Sequence, residues 1–289
     1  MKVIAFYSFF KINDLNFSEK KIKDFFKNIE IKGTILLGPE GLNGTIAVPT
    51  GLEKTTTNFL LKLGVDESNM KISQFDGKRI FNRFKIKKKK EIVTSDFGLT
   101  IDEIKQSQFI EPKEWDSFIQ QEDVLIVDAR NDYEHRVGHF ENAIDPSIKT
   151  FRELKEYVKD NEEKLKEKKV AIYCTGGIRC EKAGPLMQKH GIDTYQLKGG
   201  ILKYLEVSEA KKWNGECFVF DYRVALDKKL NPGKTILCHG CNMPLSQEET
   251  ESQFYKEGYS CERCYETLSP KKIRSLMDKR KHWKRVLEA

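Results

Sequence analysis

Short β-branched and aromatic runs alternate along this chain with stretches whose apolar residues recur at i, i+3 and i+4. That is the pattern of strands alternating with amphipathic helices. In the first hundred residues, 2–10 read as a strand. Ile22, Phe25, Phe26 and Ile29 share one helical face, so 18–30 read as a helix with Ser18 as its cap. Residues 33–37 and 45–48 read as strands flanking a glycine-rich loop at 38–44. Phe59, Leu60 and Leu63 mark a second helix ending at Gly64, and 81–93 read as a final strand. The order βαββαβ predicts a ferredoxin-like α+β domain.

The middle of the chain alternates more slowly. Trp115 and Phe118 mark a short helix, and residues 125–130 run from an apolar strand into Asp128 and Arg130. Leu154, Val158 and Leu165 among many lysines and glutamates make 151–168 a solvated helix. Lys169–Tyr173 reads as a buried strand. Ala183, Leu186 and Met187 make 180–190 a helix closed by Gly191. Such alternation predicts a parallel sheet with its site at the carboxyl ends of the strands. The whole is then an α/β protein of three domains, with boundaries near Gly98 and Trp213. These are 1–98 (ferredoxin-like), 99–213 (parallel sheet) and 214–289 (a small segment with a helix).

Candidate chemistry gathers where the strand before Cys174 meets the next helix. The segment Cys174-Thr175-Gly176-Gly177-Ile178-Arg179-Cys180 places a thiol at a strand end, facing glycine-rich backbone amides and the positive end of a helix. Those groups favour the thiolate, the nucleophilic form. Arg179 adds a fixed positive charge. Cys180, in the first helical turn, either resolves an oxidised Cys174 as a disulfide or packs beneath the loop. Asp128 suits either a structural acceptor or a chemical role. His139 reads as a packed histidine that fixes its loop.

Several segments carry a resemblance. The strand Leu125-Ile126-Val127-Asp128-Ala129-Arg130, the Gly138-His139-Phe140-Glu141-Asn142-Ala143-Ile144 segment, the Cys174 loop and the Leu197-Lys198-Gly199-Gly200-Ile201 turn resemble, in order, the rhodanese domain. Cys174 to Arg179 is the six-residue loop of sulfur-handling rhodaneses, one residue shorter than the C-x5-R loop of the related phosphatases. Three blocks go further: residues 38–47, 174–183 and 215–225 are similar to the signatures of the rhodanese-containing tRNA wobble-uridine hydroxylases. That resemblance implies oxygen insertion at C5 of the wobble uridine, with an essential loop cysteine, dioxygen as co-substrate and no flavin or haem motif.

Composition narrows the setting. At 289 residues the chain exceeds a single core. The sequence shows no apolar run near the length of a membrane span and no secretory leader, and its seven cysteines suit a reducing compartment, so a cytoplasmic protein is expected. Oligomeric state is not legible. The net charge of +7 is uneven. Lys plus Arg outnumber Asp plus Glu by 18 to 11 over residues 1–100 and by 16 to 11 over 211–289, whereas 101–210 hold 17 against 22. Basic flanks around an acidic centre suit a polyanionic partner, here tRNA.

Two patches dominate those flanks. Arg79, Arg83, Lys85, Lys87, Lys88, Lys89 and Lys90 are interleaved with Phe81 and Phe84. This suits RNA backbone and base stacking, or equally an edge strand guarded by lysines. The last helix carries Lys279, Arg280, Lys284 and Arg285. Between the two patches, Cys238-x2-Cys241 and Cys261-x2-Cys264 stand 19 residues apart, the spacing of a structural four-thiolate zinc site. Three functions remain in competition: a tRNA hydroxylase, a sulfurtransferase carrying a Cys174 persulfide, and a non-catalytic zinc and RNA-binding module.

Overall fold

Val3, Ile4, Phe6, Tyr7 and Phe9 are all buried because strand β1 (Lys2–Phe9) is covered on both faces and paired on both edges. Helix α1 (Leu15–Phe26), strands β2 (Lys32–Gly38) and β3 (Gly41–Val48), helix α2 (Glu53–Lys62) and strands β4 (Met70–Gln74) and β5 (Phe84–Lys88) follow. The sheet order is β4-β1-β3-β2-β5, antiparallel except for β5, which runs parallel to β2. Ile22, Phe26 and Leu60 press the helices onto Ile4, Ile35, Leu37 and Ile46 of the sheet. The computed structural model describes residues 1–75 and 81–288, the side chains of 282–288 excepted.

The ferredoxin-like order is therefore present, with three corrections. The strand that completes it is β4, which exposes most of its residues and offers little apolar pattern to read. The expected last strand, 81–93, shrinks to β5 and joins the opposite edge as a fifth strand. Asp14, not Ser18, caps α1: its carboxylate accepts the Phe17 amide at 2.9 Å. The 38–44 segment, expected as a glycine-rich loop between two strands, is the β2–β3 hairpin itself, with Gly38 paired to Gly41 across Pro39 and Glu40. Gly41 and Gly44 are required by the approach of β1. A Cβ on Gly41 would lie 1.9 Å from the Ser8 carbonyl oxygen, and one on Gly44 would lie 2.7 Å from the Phe6 ring.

Strands β6 (Gln108–Ile110), β7 (Val124–Asp128), β8 (Lys169–Tyr173) and β9 (Thr194–Leu197) form a wholly parallel sheet in the order β6-β9-β8-β7. Helix α3 (Cys180–Lys189) follows β8, and α4 (Gly200–Val207) follows β9. Val127, Val170 and Ile172 pack with Leu154, Val158, Leu165, Ala183 and Met187 into one core. Gly191, at φ +75°, ends α3 as expected. The predicted single helix over 151–168 is instead a 3-10 turn (Phe151–Glu153) and two short helices, Leu154–Asp160 and Glu162–Lys166. The break falls at Asn161, whose side-chain amide bonds the Tyr157 carbonyl at 2.9 Å.

The chain forms two compact units. One is Met1–Asp132 with Asn142–Lys212, so it holds both sheets; the other is Tyr133–Glu141 with Trp213–Ala289. In the second unit, Trp213–Gly215 pairs antiparallel with Gly138–Phe140, and Trp213 meets Phe140 edge-on. His139 stacks on His135 at 4.2 Å and its Nδ1 lies 3.0 Å from the His135 carbonyl, so it is a packed histidine. Two-stranded ribbons and a long helix, α5 (Pro270–Glu288), complete this unit. Among the described residues no helix is long and apolar enough to cross a membrane.

Candidate active site and metal centre

Cys174 follows β8 directly and is 1% exposed. Its Sγ accepts the Gly177 amide at 3.2 Å, and Gly177 adopts φ +101°, which only glycine takes without strain. The loop closes into α3 through the Cys180 amide, which bonds the Gly177 carbonyl at 2.9 Å. The turn after β9 braces it from behind. Ile201 donates its amide to the Cys174 carbonyl at 3.0 Å, and Leu202 donates to that of Thr175 at 3.1 Å. A Cβ on Gly200 would sit 2.5 Å from the Cys174 carbonyl oxygen, so the second glycine of that turn is needed for this approach. Thr175, Gly176 and Ile178 are the half-exposed rim, and a Cβ on Gly176 would meet nothing within 4 Å.

The electrostatics favour a thiolate. Burial pushes the Cys174 thiol up, but the Cys180 side chain, the Arg179 guanidinium and the amides of Cys180 and Arg179 outweigh it and bring the thiol down to about 5. Burial and the neighbouring Cys174 charge push Cys180 the other way, well above its ordinary value. Cys180 is thus a neutral donor to an ionised Cys174 at neutral pH. Arg179, itself 7% exposed, stands at the start of α3.

Asp128 and Arg130 lie beside this loop, as their strand predicted, but wholly buried and committed to each other. Arg130 Nε donates to Asp128 Oδ1 at 2.9 Å, and the Tyr173 hydroxyl donates to Asp128 Oδ2 at 2.8 Å. Their geometry is that of a buttress: the charges are paired, and Tyr173, which ties into them, stands one residue before Cys174.

Sequence reasoning missed the residues that reach this site from the ferredoxin-like sheet. The Tyr7 hydroxyl of β1 donates to Glu181 Oε1 at 2.8 Å. A Cβ on Gly177 would come within 2.8 Å of that same hydroxyl. Lys71 of β4 bonds the Gly199 carbonyl. Lys182, 1% exposed, pairs with Glu40 at 2.9 Å and Glu91 at 3.1 Å. Glu181 and Lys182 belong to the Cys174–Ala183 signature block, but nothing local to that block signals a partner in β1.

Residues 1–92 match the UPF0176 acylphosphatase like domain family, and residues 111–206 match the rhodanese-like domain family. The tRNA uridine(34) hydroxylase of Acinetobacter baylyi is 42% identical over 272 residues, covering 93% of this chain and 86% of that protein. The protein of that name from Brucella ovis is 47% identical over 246 residues, covering 83% and 80%. The chain belongs to the tRNA uridine(34) hydroxylase family.

In this family member the four paired cysteines converge. The sulfurs of Cys238, Cys241, Cys261 and Cys264 all lie within 4.8 Å of one another. Cys238–Cys264 and Cys241–Cys261 are 3.7 Å apart, and Cys261–Cys264 3.9 Å. A tetrahedral Zn–S bond of about 2.3 Å gives S···S edges of about 3.8 Å, so the donor set fits. Burial pushes the Cys238 thiol up to about 11. Gly240 is required here by space, since a Cβ would meet the Tyr259 carbonyl at 2.2 Å. His239 is exposed and stands outside the set.

The two basic patches fare differently. Lys87 and Lys88 are exposed on β5, at the open edge of its sheet, with Arg83 exposed just before the strand and Lys85 half-exposed within it. Lys88 is partly neutralised by Glu19 at 3.2 Å. The aromatics between the basic residues are not a stacking platform. Phe84 packs edge-on against Phe26 in the core, and Phe81 packs against Val3 and Ala47. On α5, Lys279 is exposed and Arg280 pairs with Glu257. Arg79 and the side chains of Lys284 and Arg285 lie outside the described residues.

Proposed function

We propose that this protein hydroxylates C5 of uridine 34 in tRNA, giving 5-hydroxyuridine, with Cys174 as the essential thiol and dioxygen as co-substrate. The observation that carries the reading is the Cys174 loop: a buried sulfur held as a thiolate, in a chain that shares 42–47% identity over most of its length with proteins named tRNA uridine(34) hydroxylase. Arg179 and the loop amides hold the sulfur anion and orient the extruded base, since a ring inside a stacked anticodon cannot reach a buried thiol. Thr175, Gly176 and Ile178 form the rim over which the base enters, and Gly177 lies beneath it with its amide on the sulfur. Asp128 and Arg130 keep the loop's floor rigid. The comparisons favour neither a sulfurtransferase nor a non-catalytic binding module.

Cys238, Cys241, Cys261 and Cys264 hold a structural zinc that folds the 214–289 segment. Arg83, Lys85, Lys87 and Lys88 of the first unit and Lys279, Arg280, Lys284 and Arg285 of the second take the tRNA backbone. The protein works in the cytoplasm, where tRNA is found. Incubating the purified protein with tRNA bearing unmodified uridine 34, with and without dioxygen, tests the reading. Nucleoside mass spectrometry should show 5-hydroxyuridine only in the aerated sample. No product under any aerobic condition, together with thiosulfate-to-cyanide sulfur transfer, would replace it with the sulfurtransferase.

A further inference from the structure

The Tyr7–Glu181 contact joins the two sheets directly over the Cys174 loop. Tyr7 is buried in β1, and Glu181 is in the first turn of α3, one residue after Cys180. The hydroxyl that Glu181 accepts at 2.8 Å sits so close to Gly177 that no side chain fits there, and the Gly177 amide is the one bonded to Cys174 Sγ. A carboxyl within electrostatic reach of the reactive sulfur is thereby fixed by a group from another domain. Neither the buttress below the loop nor the anion-binding amides use it.

We propose that Glu181, positioned by Tyr7, is the proton-exchanging group of the site, taking the proton from C5 of the uracil ring. The inference rests on the hydroxylase reading. Replacing C5–H by C5–OH requires that proton to leave. A thiolate at C6 makes its departure possible: the Cys174 S–C6 bond forms, the C5=C6 π pair moves onto C5 and the O4 carbonyl as an enolate, and a solvent proton adds to C5 on the ring face away from Glu181. The Glu181 carboxylate then removes the original C5 proton from its own face, the C5=C6 bond re-forms and the thiolate leaves C6. No electrons are gained or lost in that exchange, so it needs no oxidant and can be followed separately from hydroxylation.

The charge environment suits a group that both gives and takes a proton. Burial, the Cys174 charge and Asp66 push the Glu181 carboxyl up to about 7, against the lowering effect of the Tyr7 hydrogen bond. The titratable groups facing this pair are Cys174 and Cys180 of the loop and helix start, and Asp66 from the segment after α2. Burial and the Glu181 charge hold Tyr7 itself well above its ordinary value, so it stays a neutral donor.

The test uses the full-length protein and tRNA tritiated at C5 of uridine 34, incubated without dioxygen, with release of tritium to water as the readout. Wild type should release tritium at a rate that levels off around pH 7. Glu181→Gln keeps the shape and accepts the Tyr7 hydroxyl but cannot exchange a proton, so release should fall about 10²-fold or more. Its tRNA affinity and Cys174 alkylation rate should be unchanged. Tyr7→Phe removes the bond that lowers Glu181, so its pH profile should move to higher pH. Glu181→Gln releasing tritium at the wild-type rate and with the wild-type profile overturns the inference. Wild type that hydroxylates in air but releases no tritium without it also overturns the inference and leaves the hydroxylase reading standing. Wild type that does neither refutes both.

Discussion

Lys182 Nζ lies 2.9 Å from Glu40 Oε1, so the turn of the β2–β3 hairpin is ion-paired to the helix that begins at the reactive loop. The same ammonium bonds Glu91 and the Val93 carbonyl at 3.1 Å and rests over the Phe9 ring. Glu40 in turn accepts the Ile92 amide at 2.7 Å. Four segments distant in sequence thus share one buried cation. Removing one partner of a buried pair costs about 3–5 kcal/mol. Glu40 and Glu91 keep 13% and 20% exposure, so the cost here is at the lower end.

Lys182→Met should therefore destabilise the protein by about 3 kcal/mol in urea unfolding. It should also raise the mobility of the hairpin turn, read as faster amide exchange at Ile92. Unchanged stability would show that the three charges are solvated in the working protein.

Iodoacetamide labelling of Cys174 should rise with pH through a midpoint near 5 and be flat from pH 6 to 8, because the thiolate fraction is already complete there. Cys180→Ala removes a donor to that sulfur, so the midpoint should move upward by about one unit, equivalent to about 1.4 kcal/mol. Cys180→Ser keeps a donor and should move it less. A midpoint near 8.5 in the wild type, the value of an ordinary thiol, would mean that the loop does not ionise its cysteine.

Purified protein should carry one zinc per chain by metal analysis. Cys261→Ser or a strong chelator should remove it and open the 214–289 segment to protease, since metal binding and folding are coupled in such sites. A segment equally resistant without metal would contradict the structural role.

Charge reversal at Lys85 and Lys87, or at Lys279, should weaken tRNA binding and flatten its salt dependence by about 0.7–0.9 in log–log slope for each phosphate left without its cation. Zinc content and melting should not change. Binding that ignores salt would show these faces to be merely solvated.

What the sequence disclosed was whatever is contiguous. The Cys174 loop carries its thiol, glycines and helix start within seven residues, and the four converging cysteines lie in two short C-x2-C pairs, so both groupings were readable from spacing. Tyr7 and Glu181 stand 174 positions apart, and only the packing of one sheet on the other brings them together. β4 escaped notice because its apolar face is only Met70 and Ile72, too short to read as a strand, and Ile72 itself is exposed. Phe84 misled for the opposite reason. An aromatic between basic residues reads as a stacking surface, yet Phe84 turns inward against Phe26, and the pleat sends its neighbour Lys85 to the other face.

The most direct measurement is nucleoside mass spectrometry of tRNA from cells lacking this gene and complemented with wild-type or Cys174→Ser protein. The two proteins should accumulate and melt alike, because exchanging Sγ for Oγ leaves the loop's shape but not its acidity. Wild type should restore 5-hydroxyuridine at position 34 and Cys174→Ser should restore none. Equal 5-hydroxyuridine from both would contradict the assignment of Cys174, and with it the account of the site.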